Sequence, residues 1–170
     1  MLIHLFPQPS QPQKAILRIG SMLVPCAIGK SGTTARKREG DGATPRGILR
    51  PVMIYFRPDQ KRPTRLALPA KPIRRDRGWC DDPASPRYNR EITLPDRCSH
   101  EVLWRDDRLY DIVIETDWNR RPAKRGRGSA IFIHYGRPGR TPTEGCIALD
   151  PKGMKLFLSV LRKSTRLFIH

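Results

Sequence analysis

Residues 129–150 read SAIFIHYGRPGRTPTEGCIALD, and the rest of the chain is best understood from this stretch. Ile131, Phe132 and Ile133 have the β-branched and aromatic character of a buried strand that ends at His134. A loop rich in Gly, Pro and Arg follows. Gly145 and Cys146 then open a second apolar run, Cys146-Ile147-Ala148-Leu149. A loop of this length can bring the chain back so that the two runs pair. The imidazole of His134 and the thiol of Cys146 would then meet at one end of a sheet. A cysteine nucleophile needs this arrangement, with a base close to the sulfur. Gly145 permits a tight turn, and the N–H groups of Gly145 and Cys146 are candidates to face a developing oxyanion. The plain alternative is a buried free cysteine and a histidine that caps a strand, and spacing alone leaves both open.

Further phrases accompany this stretch. They are GKSGTTARKREGDGATPRGIL at 29–49, WCDDPASPRYNR at 79–90, SHEVLWRDDRLYD at 99–111 and GRGSAIFIH at 126–134. Together they resemble the L,D-transpeptidase (YkuD-like) catalytic domain of bacterial cell-wall enzymes. That family carries a strand ending in Ile-His-Gly or similar, then a loop, then Ser/Thr-x-Gly-Cys-x-Arg/Asn. Here the motif stands as Ile133-His134-Tyr135 and Thr143-Glu144-Gly145-Cys146-Ile147-Ala148. Two positions depart from it. Ala148 stands where many members carry Arg or Asn, and Glu144 where many carry His.

The resemblance implies a β-sandwich or barrel with Cys146 as nucleophile and His134 as its base. It also implies a substrate, the tetrapeptide stem of peptidoglycan or a soluble muropeptide. The bond cut lies between the L-centre of the third residue and the terminal D-Ala. The acyl group then passes to an amine, giving a cross-link, or to water, giving an L,D-carboxypeptidase of peptidoglycan recycling. The resemblance calls for no cofactor and no metal.

The 170 residues suit one domain with a single core. A net charge of +17 points to an anionic partner or to a solvated basic surface, and a basic nucleic-acid-binding module is the rival from another class. Against that rival, the basic residues are spread along the chain and no nucleic-acid-binding motif appears, so no nucleic acid is expected. No run approaches the ~20 apolar residues of a membrane span. The start, MLIHLFPQPSQPQK, lacks the features of a signal peptide. This implies a cytoplasmic protein, or a periplasmic one if further residues precede the chain. Cys26, Cys80, Cys98 and Cys146 show no C-x-x-C spacing and read as free thiols.

The expected organisation is mainly β with one or more short helices. Residues 1–14 form an irregular Pro/Gln arm, and residues 15–170 form the catalytic domain. Strands are expected at 14–20, 21–29, 48–56, 65–68, 109–116 and 165–170, with Pro25 marking an edge or a bulge. Asp150-Pro151 is an N-cap and first-turn signal for a helix that runs to about Arg162. Asp41 and Thr44 read as structural residues of a polar loop. Candidate substrate contacts are Tyr88, His100, Glu101, Tyr135, Arg137 and Thr143, and Trp79 and Asn89 are expected to line a cleft beside Tyr88. Arg125, Arg127 and Arg140 join Arg137 as basic residues crowded around the motif, suited to a peptide carboxylate.

Overall fold

Alternation governs the start of the chain. Ile3, Leu5, Ala15, Leu17 and Ile19 are buried, while the residues between them face outward or lie half-buried. In the computed structural model, which describes residues 1–60 and 66–170, this pattern resolves into a meander. It comprises β1 (Leu2–Gln8), β2 (Gln11–Ile19) and β3 (Met22–Ala27). Two short strands follow, β4 (Thr33–Thr34) and β5 (Thr44–Pro45), then β6 (Gly47–Leu49) and β7 (Pro51–Phe56). Next come β8 (Ala70–Pro72), β9 (Arg77–Cys80), β10 (Arg90–Thr93) and β11 (His100–Val102). The chain ends with β12 (Ile112–Thr116), β13 (Phe132–Tyr135), β14 (Ile147–Leu149), α1 (Pro151–Val160) and β15 (Arg166–Ile169).

A ten-stranded sheet runs β6-β15-β1-β2-β3-β14-β13-β12-β7-β8, and a three-stranded sheet runs β10-β9-β11. One apolar cluster joins Ile3 and Leu5 of β1 to Ile54 of β7, Ile114 of β12 and Met154 and Phe157 of α1. Strands so far apart in the order share a core only if the large sheet curls around it. A second cluster lies on the other face, where Tyr55, Val113 and Phe132 of the large sheet meet Trp79 and Leu103. The site grows out of this second face. Fully burying a side chain such as Phe132 or Phe157 contributes about 2–3 kcal/mol.

Helix α1 starts where the sequence signals. The Asp150 carboxylate accepts the Gly153 N–H at 2.6 Å, and Pro151 occupies the first turn. It ends slightly earlier than expected, at Val160, because Leu161 turns extended. No helix among the described residues is long and apolar enough to cross a membrane.

Four expectations need correction. Residues 1–14 are not an irregular arm, because they hold β1 and the start of β2, and β1 pairs in parallel with β15. The strands expected from the sequence leave 69–108 without one, yet β8, β9, β10 and β11 all lie there. The strand expected at 65–68 begins outside the described residues, and its described part, 66–68, is not a strand. Strand β3 is flanked on both sides, so Pro25 is not on a sheet edge. However, β14 reaches only Cys26 and Ala27, so Pro25 lies where β3 is paired on one side alone.

Candidate active site

Strands β13 and β14 run parallel, with Ile133 opposite Ile147 and His134 opposite Ala148. Ile133, Ile147 and Leu149 point into the first core. The period of two therefore turns Phe132, His134, Cys146 and Ala148 to the opposite face. There, His134, Cys146 and Ala148 line one open cleft of about 710 Å³. The parallel register places Cys146 beside Phe132, one pleat from the His134–Ala148 pair. Ala148 is only 3% exposed and contributes just a methyl group abreast of the imidazole.

The turn carrying Cys146 is held by Thr143. The Thr143 hydroxyl donates to the Cys146 carbonyl at 2.6 Å and accepts the Gly145 N–H at 3.2 Å. From the other side, the buried Thr44 hydroxyl donates to the Gly145 carbonyl at 2.8 Å and accepts the Gly29 N–H at 2.9 Å. The Gly145 N–H is thus already engaged and does not face the cleft as a free donor. The Cys146 N–H has no acceptor among the described residues. Of the two N–H groups read from the sequence as oxyanion donors, only that of Cys146 is available.

The Cys146 sulfur accepts the Phe132 N–H at 3.3 Å and lies 4.0 Å from the Ala130 carbonyl oxygen. Burial pushes its thiol up to about 12, and the Glu101 charge adds to the rise. The Phe132 N–H and the Lys37 ammonium oppose it. The His134 Nδ1–H donates to the Tyr135 carbonyl at 2.8 Å, which fixes the tautomer and leaves Nε2 as the basic nitrogen. Burial lowers the imidazole to about 4. Both shifts favour the neutral thiol and imidazole over a preformed thiolate–imidazolium pair at rest.

Tyr110 sets its ring edge-on to His134, with centroids 5.1 Å apart, and its hydroxyl donates to Glu101 at 2.5 Å. Nearby, Arg105 grips Asp107 through two hydrogen bonds at 3.0 and 2.6 Å, and Arg137 reaches the same carboxylate at 2.9 Å. These contacts hold the Asp107 carboxyl down to about 2.

His100, Glu101, Tyr135, Arg137 and Thr143 all line the cleft with the cysteine and histidine. Tyr88 does not. It is buried, and its hydroxyl is a short donor to Glu39, which does line the cleft. Trp79 and Asn89 are also displaced. The indole N–H donates to Asn89 at 3.0 Å, and both residues border a separate cavity with Tyr55 and Glu115. Arg125, Arg127 and Arg140 are not among the cleft residues. Asp41 caps its own loop, accepting from Lys37 and from the N–H groups of Arg38 and Ala43.

Sequence reading missed Tyr110, Arg105 and Asp107, and it gave Thr44 no link to the cysteine. Tyr110 had a local signal, since it precedes the alternating β12. The Thr44–Gly145 contact spans 101 positions and leaves no local trace.

A family model described as YkuD: L,D-transpeptidase catalytic domain matches residues 11–169 of the chain. No curated protein and no solved structure matches it.

Proposed function

Because the chain belongs to the YkuD L,D-transpeptidase catalytic-domain family, which acts on peptidoglycan, we propose that it transfers the acyl group of a peptidoglycan tetrapeptide stem through Cys146. The observation that carries this reading is the opening of Cys146 and His134 onto one cleft from adjacent parallel strands.

With both groups neutral at rest, the proton moves as the bond forms. His134 Nε2 takes the thiol proton while the sulfur attacks the carbonyl carbon of the third stem residue. The oxyanion that develops meets the Cys146 N–H. A well-aimed donor of this kind lowers the barrier by about 3–4 kcal/mol. The imidazolium then gives its proton to the nitrogen of the departing D-Ala, the C–N bond breaks, and a thioester remains on Cys146. An incoming amine or water loses its proton to His134 and attacks the thioester, which returns the thiol. Arg137 and Arg105 line the cleft, and their N–H groups not spent on Asp107 are offered to the substrate's terminal carboxylate. The Phe132 N–H steadies the sulfur as it gains charge.

Incubation with a disaccharide-tetrapeptide, followed by mass spectrometry of the products, tests this. Loss of one D-Ala marks water as acceptor, and a cross-linked dimer marks an amine. Cys146→Ala removes either product. An unchanged substrate with the wild-type protein contradicts the proposal and favours a binding role for the basic surface.

A further inference from the structure

One edge of the small sheet lies open beside the Cys146 cleft. Strand β11 stands at the end of the order β10-β9-β11 and pairs with β9 alone. The register shows which of its backbone groups that pairing uses. The Leu103 N–H donates to the Arg77 carbonyl at 3.0 Å, and the Asp81 N–H donates to the Ser99 carbonyl at 3.1 Å. Opposed residues of an antiparallel ladder exchange hydrogen bonds at every second pair. The bonded partners are therefore Ser99–Asp81, Glu101–Trp79 and Leu103–Arg77. The backbone groups of Gly78 and Cys80 face β10 instead, in step with the Leu94 N–H donating to the Asp76 carbonyl at 2.8 Å. His100 and Val102, opposite Cys80 and Gly78, thus turn their N–H and C=O groups away from β9. These groups have no hydrogen-bond partner among the described residues.

The cleft runs along this edge. His100, Glu101 and Val102 all line it, together with Cys146 and His134. Successive side chains of a strand point to opposite faces. Glu101 points its carboxylate at the Tyr110 hydroxyl, so His100 and Val102 point the other way. What the three residues share toward the cleft is their backbone edge. Val102 is 42% exposed. An open edge is a template for another chain and is commonly blunted. Strand β8, at one end of the ten-stranded sheet, carries Lys71 and Pro72, whereas β11 carries neither Lys nor Pro.

We propose that β11 is the docking strand of the cleft: the peptide stem of the substrate lies extended beside it and pairs with the main-chain groups of His100 and Val102. The proposal rests on the acyl-transfer reading for the identity of the peptide and adds how that peptide is held. The chemistry of the edge selects the occupant. Donors and acceptors two residues apart, about 7 Å along the strand, match successive amides of an extended peptide. A sugar ring or a lone anion has no such alternation. The edge also adjoins the reacting centre. Glu101 accepts from Tyr110 at 2.5 Å, and the Tyr110 ring lies 5.1 Å from that of His134.

Two measurements decide this. The first follows amide hydrogen exchange by NMR in the full-length Cys146→Ala chain, which binds without turnover. In the free chain, the His100 and Val102 amides should exchange faster than that of Glu101. Saturation with disaccharide-tetrapeptide should slow both by roughly tenfold or more. The same disaccharide without its peptide should leave them unchanged. Amides already protected in the free chain, no protection by the tetrapeptide, or equal protection by the bare disaccharide overturns the proposal.

The second measurement removes one donor. Val102→Pro deletes an N–H that points away from β9, at a kind of position where edge strands accept proline. Val102→Ala keeps that N–H. In the Cys146→Ala background, the proline variant should bind the tetrapeptide about tenfold more weakly than the alanine variant. Equal affinities overturn the proposal, and if the proline variant loses cooperative unfolding the exchange data decide alone. D-Ala release by the wild type is read separately. Release with unprotected amides overturns the docking strand and leaves the acyl-transfer reading standing. Protection without release does the reverse.

Discussion

Gly145 passes so close to Ala43 that a β-carbon built on it would lie 2.8 Å from the Ala43 carbonyl oxygen. Its φ of +137° is also a conformation that side chains rarely adopt. The residue before Cys146 is therefore fixed by two constraints, backbone conformation and contact with a loop distant in sequence. Gly145→Ala is expected to destabilise the protein by about 1–3 kcal/mol. It should also displace Cys146 enough to remove most of the activity. Denaturant unfolding and D-Ala release measure the two effects.

Thr143 serves the same turn through hydrogen bonds. Thr143→Val removes the donor to the Cys146 carbonyl and the acceptor of the Gly145 N–H. The expected loss is about 1–3 kcal/mol of stability, together with a drop in kcat. Thr143→Ser keeps both hydrogen bonds and should behave nearly as wild type. Comparing the two variants by thermal unfolding and turnover separates hydroxyl loss from packing loss.

Burial of neutral His134 makes the fold sensitive to acid. Its imidazole falls from the ordinary 6.5 to about 4. Between these values the unfolded chain takes up a proton that the folded chain refuses, so stability falls as pH is lowered from 6.5 toward 4. The full effect is roughly 3 kcal/mol. Carboxyls such as Glu101 and Glu115, raised by burial, act in the opposite direction over part of this range. The difference between wild type and His134→Asn removes them. That difference should be independent of pH above about 7 and shift against the wild type on acidification, in unfolding titrations taken at several pH values.

The Cys146 thiol should be a slow nucleophile toward simple reagents. With its pKa pushed up to about 12, the thiolate is scarce at neutral pH and alkylation by iodoacetamide should keep rising with pH beyond 9. Glu101 contributes to that rise. Glu101→Gln removes the charge and retains an acceptor for the Tyr110 hydroxyl. Alkylation of Cys146 at pH 8 should then be roughly threefold faster or more. The rate is read by peptide mass spectrometry.

Much of the fold was legible because its signals are local. Asp150-Pro151 announced α1, and Ile131, Phe132 and Ile133 announced β13. The first hairpin was not legible, because Pro7, Pro9 and Pro12 suggest irregular chain while β1 is secured by β15 from the far end of the sequence. In the site, His134 and Cys146 were legible from residue type and from the glycine between the loop and the sulfur. Their ionisation was not, because it depends on burial and on Glu101, which arrives from a different sheet. Tyr88 misled for a related reason. A tyrosine in a polar loop reads as exposed, yet its ring is buried and its hydroxyl is spent on Glu39.

The central claim is that Cys146 is the residue that becomes acylated. Its most direct test is the intact mass of the protein after exposure to a carbapenem, followed by mapping of the modified peptide. One adduct on Cys146, absent from Cys146→Ala, is the predicted result. An adduct on the buried Cys26, Cys80 or Cys98 instead, or acyl transfer that persists in Cys146→Ala, would contradict the account.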